Sequence, residues 1–149
     1  MVTSEWILGS LNAKEALNIR ERVFVEELGL LKKEVFDEHD ALCAHLLVKV
    51  DDVPAATARL YPCGDGLCFS FIGVLSKYRG QCLGDLCTRL ILYKAQQMGA
   101  KTLSANVNAA FVPYYDAFGF TKQKETGDGM VHIFISPEDI IWHSACEHS

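Results

Sequence analysis

Between Val74 and Gly84 the chain reads Val74-Leu75-Ser76-Lys77-Tyr78-Arg79-Gly80-Gln81-Cys82-Leu83-Gly84 and opens into a long amphipathic segment. A helix start carries unpaired N–H groups and the positive end of the macrodipole. Glycines beside it let backbone amides approach a bound phosphate, because no side chain stands between them. Arg79 adds a positive charge, and no acidic residue follows until Asp85. The loop can cradle a pyrophosphate; it suits a tight strand-to-helix turn without a ligand equally well. Further along stands Tyr114-Tyr115-Asp116-Ala117-Phe118-Gly119-Phe120. A phenol there, with an ordinary pKa near 10, can donate a proton or simply pack as an aromatic on a short helix. Glu26, Glu27, His39, His45 and His132 are the groups that could accept one. Each histidine taken alone is more often a hydrogen-bonded structural residue.

The elements that must position these groups follow from periodicity. Trp6-Ile7-Leu8 reads as a first strand. Asn12 followed by Glu15 resembles a capping box, and apolar residues recur at helical spacing through Ala16, Ile19 and Val23 until Gly29. Arg20, Glu21, Glu26 and Glu27 fall on the polar face and are expected to be mostly solvated. Asp37-Glu38-His39-Asp40 reads as a solvated acidic loop, or as the lining of a pocket for a cation. His45–Val50 and Ala55–Tyr61, joined by Asp51-Asp52-Val53-Pro54, form an antiparallel hairpin. A turn at Pro62–Gly66 leads to the apolar run Cys68–Leu75, which suits the middle of a sheet. From Gly84 a helix runs to Gly99, with Asp85 in its first turn. Thr102–Val107 alternates as a strand, so this strand–helix–strand unit is a parallel crossover. Asn108–Gly119 is a short helix, Phe120–Lys124 and Met130–Ile135 are closing strands around the turn Thr126–Gly129, and Ser136-Pro137-Glu138-Asp139 caps a last helical turn. The tail after Trp142 carries no clear signal.

Composition sets the outer bounds. The 149 residues fit one domain, residues 1–149, with 50% hydrophobic and 22% charged residues. A net charge of −5 argues against general affinity for nucleic acid or anionic membranes. The first residues lack a basic n-region and an apolar h-region, and no apolar run approaches the roughly 20 residues that span a bilayer. A cytoplasmic location follows as the expectation. The cysteines Cys43, Cys63, Cys68, Cys82, Cys87 and Cys146 contain no Cys-x-x-Cys pair and no accompanying histidine set. Most are expected to be free thiols, several of them buried, and no metal is expected.

The order of elements and two motifs resemble the GNAT superfamily of acyl-CoA-dependent N-acyltransferases over nearly the whole chain. The first motif is [Gln/Arg]-x-x-Gly-x-[Gly/Ala], here Arg79-Gly80-Gln81-Cys82-Leu83-Gly84 after Tyr78. The second is the aromatic–Tyr-x-x-x-Gly-Phe block at Tyr114–Phe120. Arg20–Glu27, Thr57-Ala58-Arg59-Leu60, Val112–Tyr115 and Gly129-Met130-Val131-His132 resemble the ElaA-like branch. The resemblance implies an α+β, three-layer fold: a mixed sheet of six to seven strands, an antiparallel meander followed by a βαβ unit, flanked by helices. Two departures stand out. Cys82 replaces a glycine, although a cysteine in ordinary helical backbone geometry would leave the amide facing the ligand. Ser70 and Phe71 stand where many relatives carry an acidic or polar residue.

The same resemblance implies acetyl-CoA as co-substrate and a primary amine of a small molecule or peptide as acceptor, and it admits a homodimer. By it, the amides of Gly80, Gln81, Cys82, Leu83 and Gly84 bind the pyrophosphate with Arg79. The strand edge Ile72-Gly73-Val74 holds the pantetheine arm, with Asn108 nearby. Tyr115 is the general acid, and His132 the first base to test. Two other readings compete. A non-catalytic acyl-CoA-binding protein would suit Cys82 and the missing strand acid. A dinucleotide-binding domain fits poorly, since its glycine loop follows an early strand and is trailed by an acid about 20 residues on.

Overall fold

The computed structural model describes residues 1–123, 125 and 127–144. Cys146, the far end of the expected strand at Lys124 and the first turn residue Thr126 lie outside the described residues. Seven strands form one mixed sheet: β1 (Val2–Leu8), β2 (Ala44–Val50), β3 (Val53–Cys63), β4 (Gly66–Val74), β5 (Leu103–Asn108), β6 (Thr121–Lys122) and β7 (Met130–Ile135). Their order is β1-β2-β3-β4-β5-β7-β6. The β4–β5 pair is parallel and every other neighbouring pair is antiparallel. The expected meander and crossover are both present. β1 begins at Val2 rather than Trp6, because its polar first half pairs with β2 out to Val50. Among the described residues no helix is long and apolar enough to cross a membrane.

Helix α1 (Lys14–Arg20) lays Ala16 and Ile19 into the core and continues as a π-helical segment, Glu21–Glu27, that buries Val23. Its N-cap is Ala13, with no side-chain cap, so Asn12 and Glu15 form no capping box. A short helix α2 (Lys32–Val35) and a 3₁₀ turn at Glu38–Ala41 follow, where the sequence suggested an irregular loop. Helix α3 (Leu83–Gln97) buries Leu83, Cys87, Ile91, Leu92 and Ala95 against the sheet and stops at Met98, with Gly99 at φ +68°. Helix α4 (Val112–Asp116) sends Val112 and Tyr115 inward.

The two helical layers meet the sheet on opposite sides at β4. Phe69 packs on Tyr115 of α4, with ring centroids 5.8 Å apart. A Cβ on Gly73 would lie 3.1 Å from the Phe24 ring and 3.4 Å from Val23, which ride on the α1 side. Positions 69 and 73 have the same parity, so something between them must turn the strand over. That is a β-bulge: Thr57 faces Gly73 while Arg59 faces Ser70, so β4 has one residue more than β3. Phe71 absorbs it at φ +55°. Ser70 and Phe71 therefore both face the α1 side, where Ser70 accepts from Arg59 Nε at 2.9 Å and Phe71 stacks edge-on to Phe24.

Candidate active site

β4 and β5 pair only at Leu67↔Leu103 and Cys68↔Ser104. From Phe69 onward β4 has no sheet partner on the β5 side among the described residues, and the two strands part into a fork. Ile72, Gly73 and Val74 form the free limb of this fork. An unpaired strand edge presents N–H and C=O groups in a row, a ready partner for an extended amide-bearing chain.

The free limb leads through the 3₁₀ turn Ser76–Tyr78 into the glycine loop and the start of α3. The first intrahelical bond runs from Leu86 N–H to Cys82 O at 3.0 Å, so the amides of Leu83 and Gly84 precede it at the helix mouth. Gly80 sits at φ +88°, and an added Cβ would meet nothing within 4 Å; the same test at Gly84 finds only Val74 Cγ2 at 3.9 Å. Backbone on this loop is open to approach, as a pyrophosphate requires. Two details differ from the sequence reading. Cys82 is not helical but left-handed, at φ +58° and ψ 26° as the N-cap of α3, the conformation that a glycine takes without penalty. Arg79 points its guanidinium to Glu27, with Nη2 2.6 Å from Oε1, and its Nε donates to Val74 O at 3.1 Å. It ties the loop to the π-helical segment and to the end of β4.

Tyr115 lies behind the fork, only 6% exposed, among Phe69, Tyr114 and Phe120. Burial pushes its phenol up to about 12, against a smaller downward pull from its hydrogen bond with Thr88. It therefore holds its proton throughout the neutral range. Tyr114 donates to Asp85 in the first turn of α3; burial, followed by that bond, raises its phenol well above the ordinary value. Asp85 also accepts from Arg89 Nε at 2.8 Å. Arg89 in turn reaches the carbonyls of His143 and Ser144, at 2.9 and 2.8 Å, which fastens the tail that the sequence left unread.

His132 lies on β7 directly opposite Asn106 of β5. Its Nδ1 is 2.9 Å from Asn106 Oδ1. An Nδ1–H donor in that bond puts the ring's lone pair on Nε2. Asn108 caps the 3₁₀ turn Ala109–Phe111 by accepting from the Ala110 amide at 2.9 Å.

A charged cluster under α1 had little signal in the sequence. Arg20, assigned to the solvated face, is 1% exposed; it donates to Asp40 Oδ1 at 2.7 Å and contacts His45 Nδ1 at 3.2 Å. Arg59 bonds Asp37 Oδ1 at 2.7 Å and Asp40 Oδ1 at 3.2 Å. The acidic stretch is thus no free loop: Asp37 and Asp40 form a capping box on the 3₁₀ turn and neutralise two buried arginines. Burial pulls Arg20 downward and His45 below its ordinary value, which keeps the imidazole neutral. Asp40, Cys43 and His45 could converge on a metal by distance alone. Asp40 Oδ1 already accepts from Arg20 and Arg59, His45 Nδ1 faces Arg20 and its Nε2 donates to Asp40 O at 2.9 Å, while burial lifts the Cys43 thiol to about 11.

A parallel fork between β4 and β5 stands beside an open glycine loop that leads from its free limb into a helix. Residues 13–120 match the family described as "Acetyltransferase (GNAT) family", and the chain belongs to it. A candidate acetyltransferase of Bacillus subtilis (strain 168) is 32% identical over 133 residues, covering 83% of this chain and 88% of that one. Escherichia coli ElaA has the same fold at a TM-score of 0.74, with 20% identity over 90% of this chain and 99% of that one. A GNAT family acetyltransferase from Elizabethkingia anophelis with acetyl-CoA bound aligns at a TM-score of 0.69, with 15% identity, covering 91% of this chain and 97% of that chain.

Proposed function

We propose that this protein transfers an acetyl group from acetyl-CoA to a primary amine of a small molecule or peptide. The observation that carries the reading is the fork itself: an unpaired β4 edge delivered straight into an amide-lined helix start. In this reading Ile72–Val74 hydrogen-bond the pantetheine arm, and the Gly80–Gly84 amides hold the pyrophosphate. Arg79 acts chiefly by bracing the loop through Glu27. Acetyl-CoA supplies the activated thioester, and an aligned amine can attack it once deprotonated. A strand amide aimed at the carbonyl oxygen would be worth on the order of 10²–10³ in rate.

Tyr115 is the proposed general acid for the departing thiolate. Burial keeps its phenol protonated at neutral pH, so a proton is available to donate, and its place behind the fork supports the role. His132 is the proposed base; its Asn106 partner supports it by leaving the lone pair on Nε2. The close enclosure of the Tyr115 hydroxyl beside Thr88 favours a second reading, an acyl-CoA-binding protein without turnover. A thermal-shift titration with acetyl-CoA tests what both readings share. Cofactor at 100 times its dissociation constant adds about 2.7 kcal/mol of stability, and the absence of a shift at millimolar cofactor would remove both.

A further inference from the structure

Cys63 and Cys68 are joined in a disulfide across the β3–β4 hairpin, with Cα atoms 5.9 Å apart, where the sequence suggested free thiols; Cys43 and Cys87 are buried thiols. The bond closes a sequence separation of only five, so it removes little chain entropy and is a weak staple for the fold. Its position is more informative. Cys68 is the last residue of β4 that pairs with β5, opposite Ser104, and both sulfurs lie half-buried at the point where the fork opens. The Ser104 hydroxyl is 3.2 Å from Cys68 Sγ and 4.0 Å from Cys63 Sγ. The next residue, Phe69, packs against Tyr115 and Phe120.

We propose that Cys63 and Cys68 form a reversible thiol–disulfide exchange site for low-molecular-weight thiols, read out at the fork between β4 and β5. A small thiolate attacks Cys63 Sγ; the protein S–S bond breaks and Cys68 leaves as a thiolate. Ser104 assigns the direction, because its hydroxyl can donate to the Cys68 thiolate as it forms. A second small thiolate then attacks the mixed disulfide and releases Cys63. Two monothiols are oxidised to one disulfide, and the protein takes up two electrons and two protons. Reduction leaves the β3–β4 ladder in place but removes its covalent tie at the apex of the fork, and the slackening passes through Phe69 to the Tyr115 nest. The coupling part of this inference rests on the acetyl-CoA reading above; the exchange chemistry does not.

The full-length protein is equilibrated in buffers of graded reduced and oxidised glutathione, quenched with acid, alkylated and weighed. Cys63 and Cys68 should gain label together and reversibly across the series. Cys68→Ser should stall as a glutathione adduct on Cys63, and Ser104→Ala should slow opening about tenfold, the worth of one charge-assisted hydrogen bond. A bond that opens only after the protein is unfolded, or thiols that never close in the most oxidising buffer, would overturn the exchange site. Acetyl-CoA titrations of the two forms then test the readout, with affinity about fivefold weaker when reduced, the low end of a usual coupling. Equal affinities would overturn the coupling, whereas no binding by either form would remove the acetyl-CoA reading and leave the exchange result intact.

Discussion

Asp40→Asn removes the one carboxylate that Arg20 and Arg59 share, while preserving side-chain shape. Both guanidiniums are nearly inaccessible, with side chains 1% and 4% exposed. Asp37 continues to pair with Arg59, so the uncompensated charge falls on Arg20, whose Nε already lacks a partner. Breaking a buried pair from one side costs about 3–5 kcal/mol. An unfolding entropy of about 2.1 cal/mol/K per residue over 149 residues converts this to a fall in Tm of about 10–16 °C. Burial alone would raise the Asp40 pKa, but the Arg20 hydrogen bond and charge outweigh it and hold the carboxyl below its ordinary value. The carboxylate's contribution is therefore fully present above the unfolded-state pKa, about 3.9. It is lost as pH falls below that toward the folded-state value, so the gap between wild type and variant should narrow in acid. Asp37→Asn is the comparison: its carboxylate is one-third exposed, and an exposed pair is worth about 0–1 kcal/mol. Thermal unfolding followed by far-UV circular dichroism at pH 7 and at descending pH reads all of this. A loss of under about 2 °C for Asp40→Asn, or an effect equal to that of Asp37→Asn, would refute the reasoning.

Cys82→Gly should raise stability by roughly 0.5–1 kcal/mol, because relief of a left-handed cysteine exceeds the entropy cost of glycine; a lower Tm would show that the thiol contributes packing that outweighs the strain. Gly73→Ala should cost about 1–3 kcal/mol in chemical denaturation, since its Cβ would press on Phe24 and Val23 where the π-helical segment crosses β4; an unchanged midpoint would mean that α1 can back away freely. Tyr115→Phe should lower turnover by about 10²–10⁴ with little change in the acetyl-CoA thermal shift, and a kcat near wild type would end its role as the acid.

Much of the scaffold was legible because its signals are local. Alternation and turn residues marked the meander, the 3.6-residue period marked α1 and α3, and Gly99 marked the stop of α3. The glycine loop and the Tyr115 block were legible as motifs, since each packs its chemistry into a short window. What stayed hidden depends on distant partners. Arg20 looks solvated on a helical wheel and is buried only because Asp40 folds back over it from 20 residues away. The bulge at Phe71 and the left-handed Cys82 are backbone decisions imposed by tertiary packing, against the preferences of the residues themselves, whereas the cap at Asp37 is local and suits an aspartate. The Cys63–Cys68 bond could have been suspected once the hairpin was drawn, because the turn between the two brings them side by side.

Acetyl transfer is tested at its product. The purified protein is incubated with acetyl-CoA and a panel of primary amines, and free CoA thiol and acetylated amine are quantified together. Amine-dependent thiol release should be matched mole for mole by acetylated product, with the rate falling on Tyr115→Phe. Saturable acetyl-CoA binding with no amine-dependent release across the panel would contradict acetyl transfer.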